Sequence, residues 1–190
     1  RLTVLIPVEE GQTLFIPDEL HELYRYTDGS DSTYRGHVLL FLSGLRSESR
    51  RRIAQSVDEE LASQEVEGVT VEETDADVRL TLQALQFLPD QAVLIPEERP
   101  RLDSIAAALS RVENARFLVV GHTADVGSME SQQRLSEERA RTIASELVAR
   151  GVDQNRLDLE GRAGRDPVAS NASETGREQN RRVEIYVLEQ

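Results

Sequence analysis

Between residues 96 and 150 two helical stripes flank one short apolar run, and that pattern admits few folds. Leu102, Ile105, Ala106 and Leu109 recur at the i, i+3, i+4, i+7 spacing of a helix with one apolar face. Pro96 suits the first turn of that helix, which is expected over about 96–112. Ala140, Ile143, Ala144 and Leu147 form a second stripe within a helix expected over about 131–150. Gly151 closes it at the position where a left-handed C-cap is common. Arg116–Gly121, lying between the two, reads as a strand. Neither stripe can be left in water, so both helices need a shared cover, and a sheet is the natural one.

The flanking segments supply the rest of that sheet. Val69–Glu72 and Val78–Leu82 around Thr74-Asp75-Ala76-Asp77 predict a hairpin, and Phe87–Leu94 is irregular. Arg156–Glu160 and Val183–Leu188 are the remaining strands. The order after residue 68 is ββ-α-β-α-β-(loop or short helix)-β. Strands alternating with helices require crossovers, so the expected class is α+β, a mixed sheet with helices packed on one face. Residues 1–67 read as an accessory α/β segment of unknown function and 68–190 as the main domain. In the first part Leu2–Val8 and Thr13–Ile16 are expected strands, Asp18–Tyr26 a short helix and Thr27–Arg35 a turn-rich stretch. His37–Leu42 reads as a buried strand ended by Ser43-Gly44, and Ser47–Ser63 as a helix with Ile53, Val57 and Leu61 on one face.

Composition excludes several functions. With 38% apolar and 30% charged residues the chain is globular rather than disordered. The longest apolar run, around Val38–Leu42, falls far short of the ~20 residues of a spanning helix. A net charge of -13 repels nucleic acid. The absence of cysteine removes disulfides, thiolate metal sites and thiol catalysis. All 22 basic residues are arginine, so each cation can fork onto a carboxylate. Arg50-Arg51-Arg52 reads as a solvated helix face in preference to an anion patch. His21, His37 and His122 are scattered without metal-ligand spacing, and no glycine-rich phosphate loop follows a strand. No cofactor and no catalysis are expected. The chain opens at Arg1 without Met or a signal-like segment and reads as a piece of a longer protein.

One constellation is more specific. It comprises Gly121-His122-Thr123-Ala124-Asp125-Val126-Gly127 and Leu135-Ser136-Glu137-Glu138-Arg139-Ala140. Gly161-Arg162-Ala163, Pro167 and Asn180-Arg181-Arg182-Val183-Glu184-Ile185 follow. In order and spacing this resembles the OmpA-like family, the periplasmic domain shared by outer-membrane protein A, the peptidoglycan-associated lipoprotein and the flagellar stator protein MotB. The likeness spans about 68–190, with Phe87, Asp90-Gln91-Ala92 and Leu94 resembling the family's early loop.

The resemblance implies a peptidoglycan stem peptide as ligand, held at the end of a diaminopimelate side chain. That group carries an ammonium and a carboxylate on one carbon. It needs an acid and a cation a few ångströms apart, and arginine grips the carboxylate with two parallel bonds. A helix N-terminus offers further N–H donors. The family's arginine falls on Arg139 and its asparagine on Gln132, while its aspartate falls on Ala124. Pro89 stands where a second Phe is common. The candidate ligand-binding residues are Arg139, Asp125, Thr123, Ala124, Gln132 and Arg182. Asp125 is the obvious substitute acid, yet in an extended segment it would face away from Ala124. Losing one member of a desolvated pair costs about 2–5 kcal/mol.

Other readings stand beside these. Arg139 could pair with Glu138, Glu137 or another local acid on a solvated helix face. His122 is expected to be packed or hydrogen-bonded locally, and Arg181 or Arg182 to pin the last strand to carboxylates. Two functions follow from the resemblance: a periplasmic module that associates with peptidoglycan, tethered to the outer membrane by a part outside this chain, or a divergent member that lost the ligand and joins other envelope proteins.

Overall fold

The computed structural model describes residues 5–7, 13–15, 31–83, 85–88 and 91–189. The chain divides into two compact units, Arg1–Arg46 and Ser47–Gln190. In the first, β1 (Leu5–Pro7) and β2 (Thr13–Phe15) pair antiparallel, Leu5 opposite Phe15. The helix expected at 18–26 lies outside the described residues, as do the remaining parts of the two expected strands and residues 27–30 of the expected turn.

Helix α1 runs from Asp31 to Ser63, so His37–Leu42 is helical and the strand expected there is corrected. The short apolar run Val38–Leu42 carries no period that separates strand from helix. Only Val38 in it is β-branched, and leucine is a good helix former. Gly44, taken as a terminator, is tolerated inside the helix, as an isolated glycine can be. Residues 31–35, expected to turn, form its first turns. Within the second unit, Val57 and Leu61 of α1 are buried in the main core. Residues 47–63 of α1 belong to this compact unit because their apolar stripe has its cover there.

The main sheet holds β3 (Val69–Glu73), β4 (Val78–Leu82), β5 (Ala115–Gly121), β6 (Leu157–Gly161) and β7 (Val183–Glu189) in the order β3-β4-β7-β5-β6. Only β5 and β6 are parallel; the other neighbours are antiparallel. Pro96–Glu98 forms one 3₁₀ turn before α2 (Arg99–Arg111), and α3 spans Met129–Ala149. Glu174–Asn180 is the short helix α4 before β7. This is the mixed α/β arrangement expected after residue 68.

Register sorts the side chains. Val78, Val187 and Phe117 stand in one row, Leu80, Ile185 and Val119 in the next. All are buried in a core shared with Leu102, Ile105 and Leu109 of α2 and with Ala140, Ile143 and Leu147 of α3. The opposite face shows Arg79, Tyr186, Leu118 and Asp158, then Thr81, Glu184, Val120 and Glu160. The period of two in the strands and 3.6 in the helices thus meets on one side.

Two details set the position of α3. Gly121 and Gly161 are register partners at the ends of β5 and β6. A Cβ on Gly121 would overlap the Ser136 carbonyl oxygen, and one on Gly161 would come within 2.6 Å of Ser136 Oγ. The helix can lie this close only over glycine. At its far end Gly151 has φ +98, and the N–H groups of Val152 and Gly151 donate to Leu147 and Val148 carbonyls at 3.1 and 3.0 Å. That is a Schellman cap, in which Leu147 and Val152 bury their side chains.

Candidate functional site

Strand β5 leads directly into the site. Past Gly121, His122 N–H donates to Arg182 O and Thr123 N–H to Ala163 O, both at 2.9 Å. Ala163 sits at φ 51, a left-handed conformation unusual for a residue with a side chain. Bonds on both sides hold it there, since its own N–H donates to Ser136 Oγ at 3.1 Å. Next, Val126 N–H donates to Ala124 O at 2.9 Å, which turns the chain tightly at Asp125. Ala124 is buried and Asp125 exposed. Ser128 then caps α3, its side chain accepting from Ser131 N–H at 3.2 Å.

Gln132 ties these loops together. It is 3% exposed, and its Nε2 donates to Asp125 Oδ1 at 3.1 Å and to Gly127 O at 3.3 Å. Its Oε1 accepts from Gly164 N–H at 3.1 Å. Asp125 N–H donates to Asn171 Oδ1 at 3.2 Å, and the same oxygen accepts from Asn180 Nδ2 at 2.8 Å. Asn180 is fully buried, and its Oδ1 accepts from the N–H groups of Val168 and Ala169.

Arg139 lies on the buried face of α3 with Gln132, Ser136, Ala140 and Ile143. It is 8% exposed, and its guanidinium carbon stands 4.9 Å from the centre of the Phe87 ring. The solvated-face reading of Arg139 is therefore corrected. At i+7 from Gln132 it completes two turns and returns to the same side. Phe87 is presented by a small loop closed by its bridge to Leu94 and by Leu88 N–H donating to Val93 O at 2.8 Å. Thr142 Oγ1 pins that loop to α3 by donating to Ala92 O at 2.7 Å. Thr123 is buried, and its hydroxyl has no hydrogen-bond partner among the described residues.

Arg182 belongs to a different neighbourhood. Its Nε donates to Glu184 Oε1 at 2.8 Å and its Nη2 to Asp166 O at 3.1 Å. Glu184 is on the sheet face opposite α2 and α3, and also accepts from Tyr186 OH at 2.6 Å and pairs with His122 Nε2 at 3.2 Å. Burial alone would raise the Glu184 pKa, but the bonds from His122, Tyr186 and Arg182 outweigh it and hold the carboxyl well below the usual carboxylate range. Burial and the bond to Glu184 push the Tyr186 hydroxyl up. Arg181 pairs with Glu174 at 2.6 Å. Both arginines thus pair with nearby carboxylates, Arg181 with Glu174 of α4 and Arg182 with Glu184 of β7 itself, and His122 is hydrogen-bonded locally to Glu184.

The structure brings Thr123, Ala124, Asp125 and Gln132 into one turn region, with Arg139 on the same helix face and Arg182 tied to Glu184 instead. Sequence reasoning missed the Glu184 cluster and the Asn171 contact to Asp125. Glu184 had a signal, a charge in the middle of an apolar strand, and period two places it on the far face. Asn171 had none.

A sequence profile of the OmpA family matches residues 86–181. The chain belongs to the OmpA family. Outer membrane protein A of Bordetella avium is 37% identical over 99 residues, covering 52% of this chain and 51% of that protein. The peptidoglycan-binding protein ArfA of Mycobacterium tuberculosis is 40% identical over 103 residues, 54% of this chain and 32% of that protein. Among solved structures, the cell wall anchor of the T6SS from Pseudomonas aeruginosa superposes with a TM-score of 0.62 at 34% identity, covering 74% of this chain and 99% of that one. The chain spans about half or less of the length of these two curated relatives.

Proposed function

We propose that this chain is a non-catalytic module of the cell envelope that associates with the stem peptide of peptidoglycan. The observation that carries the proposal is Arg139, a guanidinium 8% exposed on the helix face that also bears Gln132, and set against Phe87. Such an arginine is held in place before any ligand arrives, and it suits a carboxylate, which it can take in two parallel bonds. ArfA is named for binding peptidoglycan, and the Pseudomonas structure is described as a cell wall anchor. Both support the reading. Thr123, Ala124, Asp125 and Gln132 line the rest of the proposed site, and Arg182 supports it from behind. The module works in the periplasm, tethered to the outer membrane by a part outside this chain.

A second reading has its own observation: the methyl of Ala124 is buried where the family carries an aspartate. On that reading the fold persists as a structural or protein-interaction module without the ligand. Cosedimentation with purified peptidoglycan separates the two. The unmodified chain should pellet with the wall. Arg139→Ala should stay in the supernatant while melting within a few degrees of the original. If the unmodified chain stays soluble, the second reading holds. If the variant still pellets, the contact lies elsewhere.

A further inference from the structure

We infer that Asp125 is the acid of this site and that Gln132 is the residue that positions it. The inference rests on the stem-peptide reading above and concerns how the site takes the ammonium of its ligand.

The tight turn between Ala124 and Val126 breaks the alternation that would aim Asp125 away from Ala124. As a result the Asp125 carboxylate meets the buried side of α3, where Gln132 Nε2 donates to its Oδ1 at 3.1 Å. The orientation of the Gln132 amide is determined by its other contact, since Gly164 N–H can be accepted only by Oε1. The NH₂ end must then face Asp125. It is a donor, and it favours the ionised carboxylate.

One oxygen of Asp125 is held in this way. The other carries no hydrogen bond among the described residues, and the residue is exposed. An exposed aspartate is ordinarily a free rotor. Here a buried amide spends a donor on fixing it, on the same helix face as Arg139. Arg139 follows Gln132 by two turns on that face, with its guanidinium carbon 4.9 Å from the centre of the Phe87 ring. The free oxygen of Asp125 takes the ammonium, and Arg139 takes the carboxylate. Glutamine is one methylene longer than asparagine, which gives it the reach to an acid displaced by one position.

A purely structural Gln132–Asp125 bond would also tie the turn to α3, so the test must read ligand preference. Calorimetry compares the tripeptide L-Ala-γ-D-Glu-meso-diaminopimelate with the same peptide whose terminal carbon keeps its carboxylate and lacks its amino group. The unmodified chain should prefer the first by about tenfold or more, the weight of a charge-assisted hydrogen bond. Asp125→Asn, at an exposed position, should bring that ratio to within about threefold while both peptides still bind, and Gln132→Leu should do the same. A structural role would lower both affinities together and leave the ratio alone. An unchanged ratio in Asp125→Asn overturns the inference, whatever the folding of the Gln132 variant. Equal binding of both peptides by the unmodified chain overturns it as well and leaves the stem-peptide reading standing. Binding of neither peptide overturns both.

Discussion

Replacing Glu184 with alanine should cost several kcal/mol of stability, about 3–5. The carboxylate is 2% exposed and accepts from Arg182 at 2.8 Å, from Tyr186 at 2.6 Å and pairs with His122 at 3.2 Å. Truncation leaves the Arg182 guanidinium, itself 4% exposed, as a buried charge with one backbone carbonyl, that of Asp166, for a partner among the described residues. Breaking one side of a buried pair costs about 3–5 kcal/mol. At about 2–4 °C per kcal/mol for a chain of this size, the melting temperature should fall by about 6–20 °C. The double variant Glu184→Leu with Arg182→Met should recover much of that, because it removes both charges together. The effect also has a pH signature. The folded pKa of Glu184 lies below its ordinary value, so its contribution is complete above the unfolded pKa of about 4.3 and is lost as pH falls toward the folded value. Urea denaturation of the original chain and of Glu184→Gln between pH 7 and pH 3 reads this directly. The original should weaken more steeply below about pH 4.5 than the variant. A loss under about 1 kcal/mol for Glu184→Ala at neutral pH, or parallel acid slopes, would refute the reasoning.

Two smaller perturbations test the placement of α3. Gly121→Ala puts a methyl into the Ser136 carbonyl and should cost about 3 kcal/mol, the upper end of ordinary overpacking, read as a drop in the denaturation midpoint; a neutral effect would mean that the helix can lift off the sheet freely. Gly151→Ala, at φ +98 with open space around its Cβ, should cost about 1 kcal/mol from backbone strain alone, and thermal melting that detects no change would contradict the cap described here.

Much of the fold was legible because its signals are local. The stripes of α2 and α3, the hairpin of β3 and β4 and the glycine cap at Gly151 each follow from spacing within one segment. His37–Leu42 misled because a short apolar run suits either element, and its true state depends on the helix continuing for twenty residues beyond it. In the proposed site, Arg139 and Gln132 follow from the resemblance to the OmpA-like motifs. The side chain of Asp125 could not be aimed, because its direction depends on a single i→i+2 hydrogen bond that leaves no trace in composition. The burial of Arg139 was equally hidden. The stripe of α3 is apolar at Ala140, Ile143, Ala144 and Leu147, and an arginine one residue before it reads as solvent-facing until Phe87 is brought over it from far along the chain.

The two polar clusters stand on different sides of the sheet yet share one segment, residues 162–182. Gly164 N–H meets Gln132, and Asn171 meets the backbone of Asp125. Asp166 accepts from Arg182, and Arg182 O accepts from His122, the residue that begins the site loop. Asn180 closes the segment on itself through Val168, Ala169 and Asn171. The turn that aims Asp125 is therefore braced by a loop whose far end is fastened at the Glu184 cluster. A substitution at Arg182 can then weaken ligand binding without touching ligand, by loosening that loop. The distinguishing mark is the ratio between the two peptides. A contact residue for the carboxylate would lower both affinities, whereas a loosened loop would first release Asp125 and so erode the preference for the ammonium.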